Sequence, residues 1–434
     1  MRSASSGSLS GQPKIDRDGE HVTRSVVVAA RVVIGACLIL GAYQCLVFAR
    51  AAIFYQQDTA TSIPAALALV PFDGAYVARL ATWQPARKEE LLSQAVALNP
   101  FDVDSWIQLA LTAELQNGDA RAAERYYLRA AEVDKMFRPR WALTNFYFRQ
   151  QRLNEFFHWA RATLEITPYP AAPVFAQMWL VTQNQERLSE VIPDRPGILL
   201  QYVLYLQKES QFDAIPSIVK RLTTNVDAER ASAYGRDDVI GPMEDRLILA
   251  GHFDAAFQVW NILCGTHWLP YAAPTNASPL TNGDFRKPVF GKGFDWAVVN
   301  VNGSAVDQDS EHSLVRISFN GDQPDHTPLL RQFVPLRPGG NYRLDWSTES
   351  EGMASPSGLS WHLYSVGGGA SQDLRSGDVL ASSSGKWTFK ANAATDCGIL
   401  MLAYTRPLGS TRATGTVRLR TVSLKEEDAT HEKK

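Results

Sequence analysis

One phrase of eight residues occurs twice in the first quarter of this chain, as ALALVPFD at residues 66–73 and as AVALNPFD at residues 95–102. Each copy closes an alanine-rich apolar run with proline, phenylalanine and aspartate. Proline lacks the backbone N–H that would continue a helix, and aspartate accepts hydrogen bonds from the unpaired N–H groups that begin the next one. The phrase therefore predicts the junction between successive pairs of helices.

The same sequence pattern, an apolar run closed by proline or aspartate, continues with a period close to 34 residues. Pro100, Asp134 and Pro168 each follow an apolar run at that spacing. Small residues would let two antiparallel helices approach each other, and aromatic residues would fill the remaining gaps. The predicted packing positions are Trp106, Gly118, Ala123, Tyr127, Ala130, Trp141, Gly251, Ala256 and Trp260.

This pattern resembles the tetratricopeptide repeat over about residues 60–269. The resemblance implies a solenoid of α-helical hairpins whose groove holds a protein partner. A spacer that only holds the next domain away from a membrane is an equal alternative. The register and the number of repeats between residues 169 and 234 stay open, because the phrase is lost there.

The N-terminal region predicts a membrane anchor. Residues 1–25 are small and polar, which predicts a disordered tail. An uncharged run of 18 residues, 32–49, then supports a transmembrane helix over residues 26–55. Basic residues precede this run, so we expect a cytoplasmic N-terminus and a periplasmic or extracytoplasmic chain at the inner membrane. A cleaved signal peptide and a core helix of a soluble protein are the alternatives.

The net charge of −2 argues against nucleic-acid binding.

The period of the apolar residues changes to two after a proline-containing linker at residues 270–278. Short alternating runs follow, including VRISFN at 315–320, LSWHLYS at 359–365 and GTVRLRTVSL at 415–424. Such runs predict an antiparallel jelly-roll β-sandwich over residues 279–424, with a charged tail at 425–434. The predicted fold class is therefore multidomain, α followed by β.

Two phrases at the start of this region, LTNGDF at residues 280–285 and GFDWAV at 293–298, resemble those of carbohydrate-binding modules. The closing strand ends in VSL, as in those modules. Galactose-binding-like sandwiches without a sugar ligand share these phrases. The resemblance implies that a polysaccharide binds on a concave sheet face or at the loop tips, often beside a structural calcium ion.

Side chains on a β-strand point alternately to its two faces, and this alternation separates predicted core residues from candidate glycan contacts. Trp346 and Trp361 share faces with leucines, so we assign them to the core. The opposite faces carry charged, hydroxyl and aromatic groups of the kind that bind sugars, although an ordinary solvated sheet face has the same composition. The predicted glycan-binding residues are Arg343, Asp345, His362 and Tyr364, with Trp296, in a loop-like stretch, as a separate candidate.

Two further features concern ligands and thiols. Asp307, Asp309 and Glu311 alternate within VDQDSEH, where they could hold calcium or form a solvated acidic loop. Cys264 and Cys397 would lie on the exported side, where a disulfide is permitted. Two separately buried thiols are the preferred interpretation.

The sequence contains no H-E-x-x-H, G-x-S-x-G or phosphate-loop motif, and we expect no enzyme and no cofactor other than calcium. The functional hypothesis is a single-pass, non-catalytic envelope protein of a bacterial type, acting in polysaccharide (exopolysaccharide) assembly or export. A purely structural protein–protein scaffold is one alternative. A cryptic glycan hydrolase or lyase is the other.

Overall fold

The computed structural model describes residues 17–275, 277–366, 373–394 and 396–427. It forms two compact units, residues 1–152 and 153–434, which are described separately. The boundary between the units falls within the region predicted as one helical array.

The first unit begins with a long exposed helix, α1 (Arg17–Gln57), of 41 residues or about 60 Å. Residues 26–57 are long and apolar enough to cross a membrane, with a mean hydropathy of 2.3. The helix starts inside the segment predicted to be disordered, of which residues 1–16 lie outside the described residues. Its last turns belong to the fold, since Ala51 is buried and the ring of Tyr55 stacks on that of Tyr76 at 4.8 Å.

The repeated phrase forms the helix junctions that the sequence predicts. The Asp73 carboxylate accepts hydrogen bonds from the backbone N–H groups of Ala75 and Tyr76, and Asp102 does the same for Asp104 and Ser105. The helices of this unit that follow α1 are α2 (Ser62–Leu69), α3 (Gly74–Trp83), α4 (Lys88–Leu98), α5 (Val103–Leu115), α6 (Ala120–Val133) and α7 (Phe137–Arg149).

Alanine and aromatic residues pack these helices together. Ala123 and Ala130 are fully buried, and the Tyr127 ring between them contacts Phe146 at 5.2 Å. Trp106 is half-buried and donates a hydrogen bond from Nε1 to the carbonyl of Pro100. Trp141 is half-buried, and Gly118 adopts φ +67° in the turn before α6.

The second unit continues with helices α8 (Leu153–Leu164), α9 (Ala172–Thr182), α10 (Gln185–Val191), α11 (Pro196–Lys208), α12 (Ile215–Asn225), α13 (Gly241–Leu249) and α14 (Phe253–Gly265). Gly251 turns the chain between α13 and α14 with φ +84°. Ala256 and Trp260 on α14 are fully buried. Four of these helices, α9 to α12, occupy the stretch in which the repeat register stayed open.

Two five-stranded antiparallel sheets follow, in the sandwich that the alternating runs predict. The strands are β1 (Ala297–Val298), β2 (Ser304–Asp309), β3 (Leu314–Asn320), β4 (His326–Pro335), β5 (Asn341–Glu351), β6 (Leu359–Ser365), β7 (Asp373–Arg375), β8 (Ser384–Lys390), β9 (Cys397–Thr405) and β10 (Thr414–Glu426). The first sheet has the order β1-β4-β9-β6-β7, and the second sheet has the order β2-β3-β10-β5-β8. Strand β10 takes in Lys425 and Glu426 of the predicted tail, of which residues 428–434 lie outside the described residues.

The sandwich core holds most of the large aromatic side chains. Trp346 and Trp361 lie in it as predicted, 6.5 Å apart between ring centroids. Cys264 and Cys397 are buried and free, so they form no disulfide with each other.

An aromatic cluster joins α14 to the first loop of the sandwich. The fully buried Trp260 ring lies 6.0 Å from Tyr271, 6.4 Å from Phe290 and 5.9 Å from Phe294. A Cβ atom on Gly293 would lie only 2.7 Å from the Trp260 ring, whereas one on Gly291 would meet nothing within 4 Å. The joint therefore requires glycine at residue 293 for close approach.

Replacing Gly293 by alanine should destabilise this unit by about 1–3 kcal/mol more than replacing Gly291. Both glycines have positive φ, so backbone strain is common to both variants and only Gly293→Ala adds the contact with Trp260. Urea unfolding of the full chain in detergent, followed by tryptophan fluorescence, measures the difference. Equal midpoints for the two variants would contradict this account of the joint.

Two buried carboxyl groups lie at the same joint. Asp295 accepts hydrogen bonds from the Tyr271 hydroxyl at 2.9 Å and from the Phe290 N–H at 2.6 Å, yet its other oxygen has no hydrogen-bond partner among the described residues. Burial raises its pKa to about 6. Glu244 on α13 is fully buried, and neither of its oxygens has a partner there, so burial holds its pKa well above the usual range.

The Asp295→Asn variant should become more stable relative to the native chain as the pH rises. The folded-state pKa exceeds the usual 3.8, so between about pH 4 and pH 6 the native fold keeps a proton that the unfolded chain has lost. Native stability therefore falls across this window, by about 3 kcal/mol from this group.

Urea midpoints at pH 4 and pH 7 test this expectation, with the exposed Asp322→Asn as the control. If the difference between Asp295→Asn and the native chain stays the same at both pH values, Asp295 does not titrate as described.

Candidate functional site

The outer face of the second sheet is an ion-paired, solvated surface. Arg343 Nε lies 2.9 Å from Asp345 Oδ2, so these two predicted glycan contacts bind each other. Further pairs join Arg420 to Glu349 at 2.6 Å and Arg418 to Glu351 at 3.1 Å. The outward residues of its five strands include no aromatic side chain. Each of these three arginines is therefore paired with a carboxylate.

The other two predicted contacts, His362 and Tyr364, lie on β6 in the first sheet. The prediction that all four residues form one face is therefore wrong, because β5 and β6 belong to opposite layers of the sandwich. Alternation identifies the two faces of a strand, but it does not identify the sheet that the strand joins.

The strand register places two rows of side chains on the outer face of the first sheet. Arg331 pairs with Met401, Met401 with His362, and His362 with Arg375. The neighbouring row contains Phe333, Ile399, Tyr364 and Asp373. These eight residues and Ser360 make up what we call the mixed face, since it combines aromatic, apolar and charged groups.

Hydrogen bonds fix the centre of the mixed face. His362 contacts Ser360 Oγ through Nε2 at 3.0 Å and Asp373 through Nδ1 at 3.2 Å. Arg375 donates from Nε to the same Ser360 hydroxyl at 3.0 Å. The half-buried Tyr364 ring stacks almost parallel to the His362 ring, with centroids 5.8 Å apart. The aromatic ring is therefore held in one orientation before any ligand arrives.

A cavity of about 390 Å³ adjoins one end of the mixed face and shares Ser360 and Arg375 with it. Arg406 and Asp378 also line this cavity, and Leu408 at its rim is fully exposed. The Asp378 carboxylate is occupied, because it accepts hydrogen bonds from the backbone and hydroxyl of Ser357 and from the backbone of Leu380.

Trp296 is not available to a sugar. It is fully buried in the core between Phe285 and Trp361, and its indole N–H donates to the carbonyl of Asn282. The prediction of a stacking role is wrong because a loop-like sequence context does not report burial.

The acidic residues predicted to hold calcium do not form a metal site in the described part of the chain, where no group of three or more His, Cys, Asp or Glu side chains could hold an ion. Asp309 contacts the His312 ring at 2.9 Å and Arg316 at 3.6 Å, and hydrogen bonds from His312 lower its pKa. Asp307 points outward from β2, and Glu311 lies in the turn that follows.

The helical part of the second unit has a charged groove of about 710 Å³. Arg221 on α12 crosses this groove, with Nε 2.7 Å from Asp194 and a hydrogen bond to the Ile192 carbonyl at the end of α10. The other charged residues that line it are Arg161, Glu186, Glu190 and Asp213.

Seven of the nine residues of the mixed face are not among the predicted glycan contacts: Arg331, Phe333, Ser360, Asp373, Arg375, Ile399 and Met401. The run HTPLLRQFVP contains a usable signal, since Arg331 and Phe333 alternate with the buried Gln332 and Val334. A shift in register between Pro328 and Leu330 disturbs the simple period of two in that strand.

The chain matches no protein-family model, and no curated protein matches it. Among solved structures, a family-4 carbohydrate-binding module is 11% identical and covers 34% of this chain and 98% of its own, with a TM-score of 0.25. PilF of Pseudomonas aeruginosa is 18% identical over 46% of this chain and 92% of its own, with a TM-score of 0.24.

A third match is TmCBM61, solved in complex with β-1,4-galactotriose, which is 18% identical over 30% of this chain and 88% of its own, with a TM-score of 0.20. The helical part is thus similar to tetratricopeptide-repeat proteins and the β part to carbohydrate-binding modules, as the sequence predicted.

Proposed function

We propose that the sandwich binds a glycan across the mixed face, within a membrane-anchored and non-catalytic protein. The observation that supports this most is the pair of side-chain rows on the first sheet, in which a held Tyr364 ring lies among Arg331, His362 and Arg375. Sugars present apolar C–H faces and hydroxyl groups together. A surface that binds sugars therefore needs an aromatic or apolar contact area beside planar hydrogen-bonding groups.

The helical array binds a protein partner in this proposal. Its charged groove around Arg221 offers carboxylates and guanidinium groups to a polypeptide. An anchor, a repeat array and a glycan-binding sandwich in one chain suit polysaccharide assembly or export, where a polymer must be held near the proteins that make or move it.

The Tyr364→Ala variant should bind a soluble polysaccharide ligand about 5- to 30-fold more weakly than the native chain, because stacking on one ring contributes about 1–2 kcal/mol. Calorimetry of the full chain in detergent, against a panel of soluble bacterial polysaccharides, measures this loss. Thr388→Ala, an exposed change on the second sheet, is the matched control and should leave the affinity unchanged.

Three outcomes would overturn the proposed site or the proposed function. Equal loss of affinity in both variants would show that binding does not use the mixed face. A folded native chain that binds no polysaccharide, yet retains a protein partner, would favour the alternative of a protein–protein scaffold. Release of reducing ends from a bound polymer would instead favour a hydrolase.

We also propose that α1 is a retained anchor rather than a cleaved signal. The small residues at Ala49 and Ala51 that would mark a cleavage site lie inside one continuous helix. Ala51 itself is buried, and one turn later Tyr55 stacks on Tyr76 of α3, so the span leads directly into the fold.

A retained anchor predicts that protein extracted from membranes keeps its N-terminal segment. Intact-mass measurement should give the mass of the full chain, and washing membranes at alkaline pH should not release it. A mass that lacks residues 1–51 would establish a cleaved signal. Protease added outside the membrane should remove the repeats and the sandwich if the N-terminus is cytoplasmic.

A further inference from the structure

The outward arginines of the two sheets differ in whether they form ion pairs. On the second sheet, Arg343, Arg418 and Arg420 each lie within 4 Å of a carboxylate. On the mixed face, exposed Arg331 and Arg375 form no ion pair with any described residue, and the only side-chain partner of Arg375 is the Ser360 hydroxyl. The undescribed residues 367–372 contain no acidic side chain.

The carboxylates nearest to these arginines are already occupied. Asp245 lines a small cavity with Arg331 but accepts a hydrogen bond from the Gly293 N–H and pairs with Lys292 at 3.6 Å. Asp373 contacts His362 at 3.2 Å. The mixed face therefore presents two exposed guanidinium groups that form no ion pair with a described carboxylate, and its own carboxylate, Asp373, contacts His362 instead.

The adjoining cavity extends the same imbalance. Arg406 lines it beside Arg375, and its carboxylate partner, Asp325 at 3.1 Å, is shared with Arg412 at 3.2 Å. Arg406 and Arg412 thus share a single carboxylate partner, Asp325.

The spacing of the two arginines suits an extended polymer. Arg331 lies on β4 and Arg375 on β7, three strands apart across the row that runs through Met401 and His362. At the usual strand separation, their backbone positions are about 14 Å apart. A chain lying across the sheet would meet a guanidinium group at each end of the row and uncharged groups between them.

We infer that the mixed face takes an acidic polysaccharide, whose carboxylate groups pair with Arg331 and Arg375, rather than a neutral one. This inference rests on the proposed glycan-binding function and names its substrate class. Guanidinium groups bind carboxylates through two parallel hydrogen bonds. These arginines would therefore recognise the planar geometry of the carboxylate group as well as its charge.

The test compares carboxylated polymers with their own neutral forms. The full chain in detergent is titrated with polygalacturonate, alginate and hyaluronate, and with the carboxyl-reduced form of each. Arg331→Gln and Arg375→Gln remove one guanidinium group each. Arg343→Gln and Arg420→Gln are matched controls, because they remove ion-paired arginines from the second sheet.

We expect at least one carboxylated polymer to bind, and its reduced form to bind about tenfold more weakly or not at all. Arg331→Gln and Arg375→Gln should each weaken binding by about tenfold, while the two controls stay within about twofold. Circular dichroism and urea midpoints confirm that all four variants are folded.

Three outcomes would overturn the inference, and they are distinguishable from one another. Equal binding of native and reduced polymers, unaffected by Arg331→Gln or Arg375→Gln, would leave a neutral glycan site and the proposed function intact. Equal losses in all four variants would indicate diffuse electrostatic attraction. No binding of any polymer, native or reduced, by the folded chain would remove the proposed function together with the inference.

Discussion

Side chains along a β-strand point alternately to its two faces, and only the space between the sheets of a sandwich is dry. Each strand must therefore send its apolar residues inward, as Tyr342, Leu344 and Trp346 show on β5. The outer faces receive whatever remains, and here they differ. One is covered by ion pairs, whereas the other keeps aromatic rings and arginines that the fold does not neutralise. The candidate site lies on that second surface, where the two arginines are exposed and Ser360 and His362 are buried.

The joint between the helices and the sandwich follows the same rule of burial on a smaller scale. Trp260 is covered by rings from Tyr271, Phe290 and Phe294, and Gly293 lets the loop approach closely enough to make these contacts. Close packing at this point also takes Asp295 and Glu244 out of water, where their charged forms are disfavoured. The aromatic cluster stabilises the joint, and the two acids make its stability depend on pH.

The centre of the mixed face is preorganised by contacts within the sandwich. Ser360 and Asp373 hold the His362 ring through hydrogen bonds, Arg375 donates to the same Ser360 hydroxyl, and His362 in turn stacks on Tyr364. A ligand that meets fixed groups loses less conformational entropy on their side of the contact. The last turns of the long α1 helix pack against the first repeat helices, so the apolar span is continuous with a helix of the first unit.

The sequence alone determined the order of the parts: an apolar helix, helix pairs joined at Asp73 and Asp102, and alternating strands. These features are local, because caps, helix-ending prolines and periods of 3.6 or 2 depend on residues close together in the chain. Tertiary structure decided the site. Whether Arg343 and His362 share a surface depends on which sheet each strand joins, and whether Trp296 is exposed depends on the residues that cover it. Pairings such as Arg331 with Met401 link residues far apart in sequence, and no local pattern specifies them.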